Sequence, residues 1–285
     1  MDLWFVAAAL LSALLHAGWN AAVKAQPKPS EAMTAQMVLS ALIGLPGLFW
    51  TGLPAQESWP WIAGSTALNL VTITALLRAY DLIGFGTAYP VVRALSVLLV
   101  APAAIVLSGE QISLYGLLGI GLIVVSLLLL GAGGGAHGAI PRAAFFWVGL
   151  AGVTAAAYVM CDAQGVRRAG SPLAYGFAVG FTNALAMSIY RGAVMQPLKM
   201  VREHALAALP IAVASTASYL LILWVFRHAA IAPAAALRDT SSIFAVVIAI
   251  VWLREPVDTA GRVRRDTINE DPDQRTRPLL GLQVL

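Results

Sequence analysis

Two arginines lie inside apolar segments of this chain, at matching places in what reads as an internal repeat. Arg93 is followed seventeen residues later by Glu110, and Arg238 is followed seventeen residues later by Glu255. Aligned at an offset of 145 residues, Arg93 meets Arg238, Glu110 meets Glu255 and Gly116 meets Gly261. A charge within an apolar segment is costly, so its recurrence in one register points to duplication. Repeats decide the fold before local signals do. The chain reads as two homologous halves.

The segments around those arginines are long enough to cross a bilayer. Nine such runs are expected, at 3–24, 33–53, 59–79, 85–107, 112–131, 144–164, 172–190, 205–226 and 229–253. Each has roughly the 17–25 residues that a membrane helix needs. Composition agrees, with 59% hydrophobic and 11% charged residues. The first run lacks a basic flank ahead of it and is expected to remain as the first helix. Short turn-rich connections such as Gln26–Ser30 and Gly170-Ser171-Pro172 separate the runs.

The organisation that follows has a first repeat at 1–131, a linker at 132–143, a second repeat at 144–261 and a polar tail at 262–285. The Gly-rich stretch 131–140 is a linker. No strand precedes it and no Lys-Ser/Thr follows, so it is not a phosphate loop. After Gly261 the register calls for a tenth apolar span, but the chain turns to Arg262-Val263-Arg264-Arg265-Asp266 and stays polar through Arg277. A C-terminal helix lost by frameshift or truncation is the expectation, and a natural nine-span protein with a disordered tail is the alternative. The basic loops favour an outside N-terminus, with Lys28, Arg142, Arg191, Lys199 and Arg202 opposite Arg167, Arg168 and Arg227. Some basic residues, Lys24 and Arg78 among them, fall at helix ends, and orientation stays open.

Small residues within the spans, such as Gly176 and Gly180, suit close helix packing. An internal packing face is expected of them, with a homodimer face as the other use.

Polar side chains mark a candidate solute site. His16, Asn20 and Lys24 share one face of the first span at i, i+4 and i+8, with Trp19 beside them. Tyr158 and Asp162 form the matching stripe in the sixth span, shifted by 142 residues. Such groups at membrane depth normally face the bundle interior or a water path. The two readings are a substrate or proton site and plain interhelical hydrogen bonding. Lys24 alone suits snorkelling to the interface. Arg238 cannot face its neighbour Asp239 along one helix and needs another partner, Asp162 or a backbone carbonyl. Paired arginines suit an anionic or zwitterionic solute, or a gating ion pair. Tyr89, Asn69, Asn183 and Tyr219 are weaker candidates.

Several chemistries are excluded or unsupported. No basic run interleaves with aromatics, so nucleic acid is not a partner. The single Cys161 rules out an intrachain disulfide and a cysteine-based metal cluster. His16, His137, His204 and His228 lack ligand spacing, so no metal is expected. Walker, G-x-S-x-G and H-E-x-x-H motifs are absent, so no catalytic residues, cofactor or ATP-driven step is expected.

The opening His16-x-x-Trp19-Asn20-x-x-x-Lys24, the hairpins Gly109-Glu110-Gln111 and Arg254-Glu255-Pro256, and the five-plus-five spacing resemble an EamA-like transporter of the drug/metabolite transporter superfamily. The resemblance covers residues 1 to about 261. It implies an all-α integral membrane protein of two inverted five-helix repeats, with the site between halves. It also implies export or exchange of small organic solutes such as amino acids, often with protons, and a multi-pass place in the cell (inner) membrane. The implied cavity holds His16, Asn20, Arg93, Asp162 and Arg238, and the missing tenth helix departs from the family. The candidate solute site is then His16, Trp19, Asn20, Tyr89, Arg93, Tyr158, Asp162 and Arg238, with Asp162 or His16 carrying a proton. The rivals are a non-transporting membrane subunit or scaffold, an inactive truncated transporter, and a lipid-modifying membrane enzyme using Asp162 and Asp239.

Overall fold

The computed structural model describes residues 1–26, 29–83, 85–133, 141–191 and 197–251. Its helices are α1 (Leu3–Lys24), α2 (Pro29–Thr51), α3 (Trp59–Ile83), α4 (Phe85–Ser108), α5 (Leu114–Gly133), α6 (Arg142–Arg168), α7 (Pro172–Arg191), α8 (Pro197–His228), α9 (Ile231–Asp239) and α10 (Ser241–Val251). Among the described residues, seven helices are long and apolar enough to cross a membrane, and Leu114–Leu130 is a shorter apolar helix. The ninth expected span is two helices, α9 and α10. The chain breaks at Thr240, whose hydroxyl donates to the Leu237 carbonyl at 2.6 Å. The tail, the Arg254-Glu255 hairpin, residues 134–140 of the linker and the side chain of Lys24 lie outside the described residues.

Sequence explains why these helices pack closely. In α1, Ala9, Ala13, Ala17 and Ala21 recur every fourth residue and are all buried. That stripe of methyl groups lets a neighbouring backbone approach where lipid offers no hydrophobic drive. The outward faces carry large apolar side chains, including Leu3, Trp4, Phe49, Trp50, Val106 and Leu129. A band of that kind suits lipid and would be a liability in water. Pro46, Pro90, Pro102 and Pro210 sit inside unbroken helices, so Pro90 does not interrupt the segment bearing Arg93. Pro233 falls in the first turn of α9, where a missing N–H leaves no bond unmade.

The helices close into a ring. α1 packs on α8, α8 on α2, α2 on α7, α7 on α3, α3 on α6, α6 on α4, α4 on α9, and α9 with α10 back on α1. α5 lies outside against α4. One end of the ring carries the N-terminus and the connections after α2, α4, α6 and α8. These are tied together there, the Ala55 N–H donating to the Ala169 carbonyl at 3.2 Å.

Polar crossbars join neighbouring helices. Ser12 donates to the Ser218 carbonyl (2.7 Å) and Ser218 donates back to the Ser12 carbonyl (2.8 Å), linking α1 to α8. Thr72 donates to Thr154 at 2.8 Å, linking α3 to α6. Ser40 donates to the Ala212 carbonyl at 3.3 Å between α2 and α8, and the Thr66 and Thr182 hydroxyls meet at 2.7 Å between α3 and α7. Ser12 and Thr154 differ by 142 residues, as do Ser40 and Thr182, while Thr72 and Ser218 differ by 146, as do Thr66 and Ala212.

Candidate functional site

The polar groups converge inside the ring around Asp162 of α6, which is 2% exposed. Its Oδ1 accepts from the Ser65 hydroxyl of α3 (2.6 Å) and the Tyr175 hydroxyl of α7 (3.3 Å). Its Oδ2 accepts from the Tyr219 hydroxyl of α8 at 2.9 Å. A buried carboxyl needs such partners, since a lone one would bear its full desolvation cost. The approach of Tyr175 depends on Gly165, one turn after Cys161 on α6. A Cβ there would fall 2.4 Å from the Tyr175 ring. The same hydroxyl also reaches the Cys161 carbonyl at 3.3 Å.

Arg93 of α4 pairs with Asp239 of α9 and lies 5.9 Å from the centre of the Tyr89 ring. Arg238 has a different environment. Its guanidinium lies 6.0 Å from the centre of the Tyr219 ring, and its Nε is buried without a hydrogen-bond partner. It makes no hydrogen bond or ion pair among the described residues, although a guanidinium carries five donors. The Asp162 partner expected for Arg238 is thus not a direct contact, and Asp239 serves Arg93 instead. Arg238 lies over the same Tyr219 that donates to Asp162, so these groups share one neighbourhood.

Other candidates divide. His16 stacks edge-on against Trp19 with ring centres 5.2 Å apart, and Trp19 Nε1 is buried without a partner. The Asn20 amide donates back to the His16 carbonyl at 2.7 Å, a bond within its own helix. Tyr158 lies among the residues packed against the main core. Asn69 and Asn183 line a separate crevice of about 170 Å³ between α3, α7 and Met37 of α2. Much of that space is open to solvent, and the enclosed part is about what one water needs, so no organic solute is held there.

Residue reading missed the partners of the carboxylates. Nothing in the sequence singles out Ser65 or Tyr175, Asp239 enters only through the lipid-modifying reading, and Tyr219 stands as a weak candidate. No local signal separates such hydroxyls from ordinary helix polar groups, because their partners come from other helices.

Helices of membrane length, an apolar exterior and a buried polar centre define a multi-pass membrane protein. The model of the EamA-like transporter family matches residues 2–132. Over that stretch the chain is similar to EamA-like transporters, consistent with the drug/metabolite transporter superfamily. A comparison with curated proteins gives no match.

Proposed function

We propose that the chain moves a small carboxylate-bearing solute, anionic or zwitterionic, across the cell (inner) membrane by alternating access. The single observation that carries this reading is Arg238. Its Nε is buried without an acceptor in a half-buried side chain, an arrangement that is costly, and a solute carboxylate matches the planar fork. Arg93 differs in that Asp239 already pairs with its Nη2, although its Nε too is buried without a partner. Tyr219 joins the two ends of the site, ringed by Arg238 and bonded to Asp162. A solute reaching Arg238 therefore disturbs the bonds at Asp162, which supports Asp162 as the group that exchanges a proton. His16 beside Trp19 is the other candidate for that role.

The reciprocal packing supports two inverted repeats, 1–131 and 144–261. α3 meets α6 as α8 meets α1, α4 meets α6 as α9 and α10 meet α1, and the crossbars recur at offsets of 142 and 146. It also refines what moves. α6 is grouped with α3 and α4, and α1 with α8, α9 and α10, so each moving bundle contains a helix from the other repeat. Rocking of these bundles opens the Arg238 site to either face in turn. No enzymatic step is proposed.

Titrating the reconstituted protein with small carboxylates and their neutral amides, and following Trp19 fluorescence, tests the reading. The carboxylates should bind and the amides should fail by about an order of magnitude or more. Equal binding of the amides would sink it.

A further inference from the structure

At the end of the ring that carries the N-terminus, Glu110 and Arg167 hold two helix ends at once. Glu110 follows α4, which stops at Gly109 (φ 65°), whose N–H donates to the Ile105 carbonyl at 3.0 Å. This left-handed turn, natural to glycine, carries the next side chain back over the bundle. The Glu110 carboxylate then accepts from the backbone N–H groups of Ile231 (2.6 Å) and Ala232 (3.3 Å), the first two residues of α9. Free N–H groups at a helix start, with the positive end of its dipole, favour an anion. Arg167, in the last turn of α6, does the converse for α8. Its Nε donates to the Phe226 carbonyl and its Nη2 to the Ala229 carbonyl, both at 2.9 Å, while Nη2 also lies 3.4 Å from Glu110. The Glu110 side chain is 8% exposed and that of Arg167 29%, so the grip is partly shielded from water.

The contacts to backbone all cross one seam. Glu110 and Arg167 belong to the α3–α4–α6 bundle, and the backbone groups they hold belong to the end of α8, the start of α9 and Ala229 between them. Hydrogen bonds of this length cannot survive separation of the two bundles at that face. The same α9 ends at Arg238 and Asp239, so the clasp also positions the solute site. We infer that Glu110 and Arg167 form a gate that closes the N-terminal face of the ring and positions α9, and hence Arg238. This rests on the alternating-access reading given above. It differs from an ordinary ion pair, since each charge is matched to a helix end and not chiefly to its partner.

The test is hydrogen exchange, followed by mass spectrometry, on the peptide spanning 226–239 in the full chain reconstituted in lipid. Glu110→Gln and Arg167→Gln should each raise exchange at the start of α9 by about tenfold or more, with the Tm nearly unchanged. The exchanged pair Glu110→Arg with Arg167→Glu should not restore protection, because each charge would then face the wrong helix end. Unchanged exchange in both single variants, or full rescue by the exchanged pair, overturns the gate. A rise in exchange spread over the whole chain with a lower Tm overturns it too, leaving only a structural cap. Failure of the carboxylate titration with the exchange result intact would sink the solute reading and leave the seam contact standing.

Discussion

Removing the Asp239 carboxylate would leave the Arg93 guanidinium buried beside Tyr89 without its counter-charge. A broken buried pair of this kind costs about 3–5 kcal/mol, so Asp239→Ala should unfold at clearly lower temperature in detergent. Arg238→Gln removes a charge that makes no direct hydrogen bond or ion pair among the described residues, its one ring contact being Tyr219 at 6.0 Å. It should leave the Tm nearly unchanged, or raise it, while carboxylate binding falls by an order of magnitude or more in the fluorescence titration. The two arginines match in register and differ in partner, so these opposite responses separate a structural role from a binding one. At Asp162, an Asn keeps one of the two acceptor oxygens, sets an NH2 donor in place of the other, and cannot carry an acid proton. Uptake by Asp162→Asn proteoliposomes should lose its dependence on a pH gradient, and an unchanged dependence would rule out the proton role.

Between elements, glycine sets how closely helices meet. Gly152 of α6 faces Leu95 of α4, where an added Cβ would come within 2.5 Å. Gly176 of α7 backs onto Leu220 and Leu223 of α8, which makes it part of an internal packing face. Overpacking typically costs about 1–3 kcal/mol, so Gly152→Val should lower stability by that order in a thermal-shift assay. Gly165→Val should do more, because it also displaces Tyr175 from Asp162. A Tyr175→Phe control, losing only the hydroxyl, would separate the two effects. The small-residue pattern was legible in the sequence as a packing signal. Which helix each glycine faces was not, since periodicity assigns a face and never its neighbour.

For the whole molecule, the question is which helices move together. The Ser12 and Ser218 hydroxyls lie 3.4 Å apart across α1 and α8, which fall in the two different proposed repeats. In a Cys161→Ala background, Ser12→Cys with Ser218→Cys should form a disulfide on oxidation. If α1 moves with α8, the oxidised protein keeps transporting. If the repeats move as units, oxidation stops transport and reduction restores it. The first outcome is the one the packing predicts, since α1 has its main contacts with α8, α9 and α10.

The sequence by itself determined that the chain is a helical membrane protein, and it carries the register match from which the repeated plan is proposed. Apolar length is a local property, and a charge repeated in one register is visible without coordinates. It also marked Asp162, Arg93 and Arg238, because ionisable residues stand out against an apolar background. Tertiary structure decided which charges are already answered: Asp239 serves Arg93, three hydroxyls from α3, α7 and α8 serve Asp162, and Arg238 is left open. It also turned Glu110 from a mark of duplication into a clasp on α9. Those pairings join residues 57 to 146 positions apart in most cases, through helix packing that closes a ring. A one-dimensional pattern records what each side chain is, and only the closed ring sets what it meets.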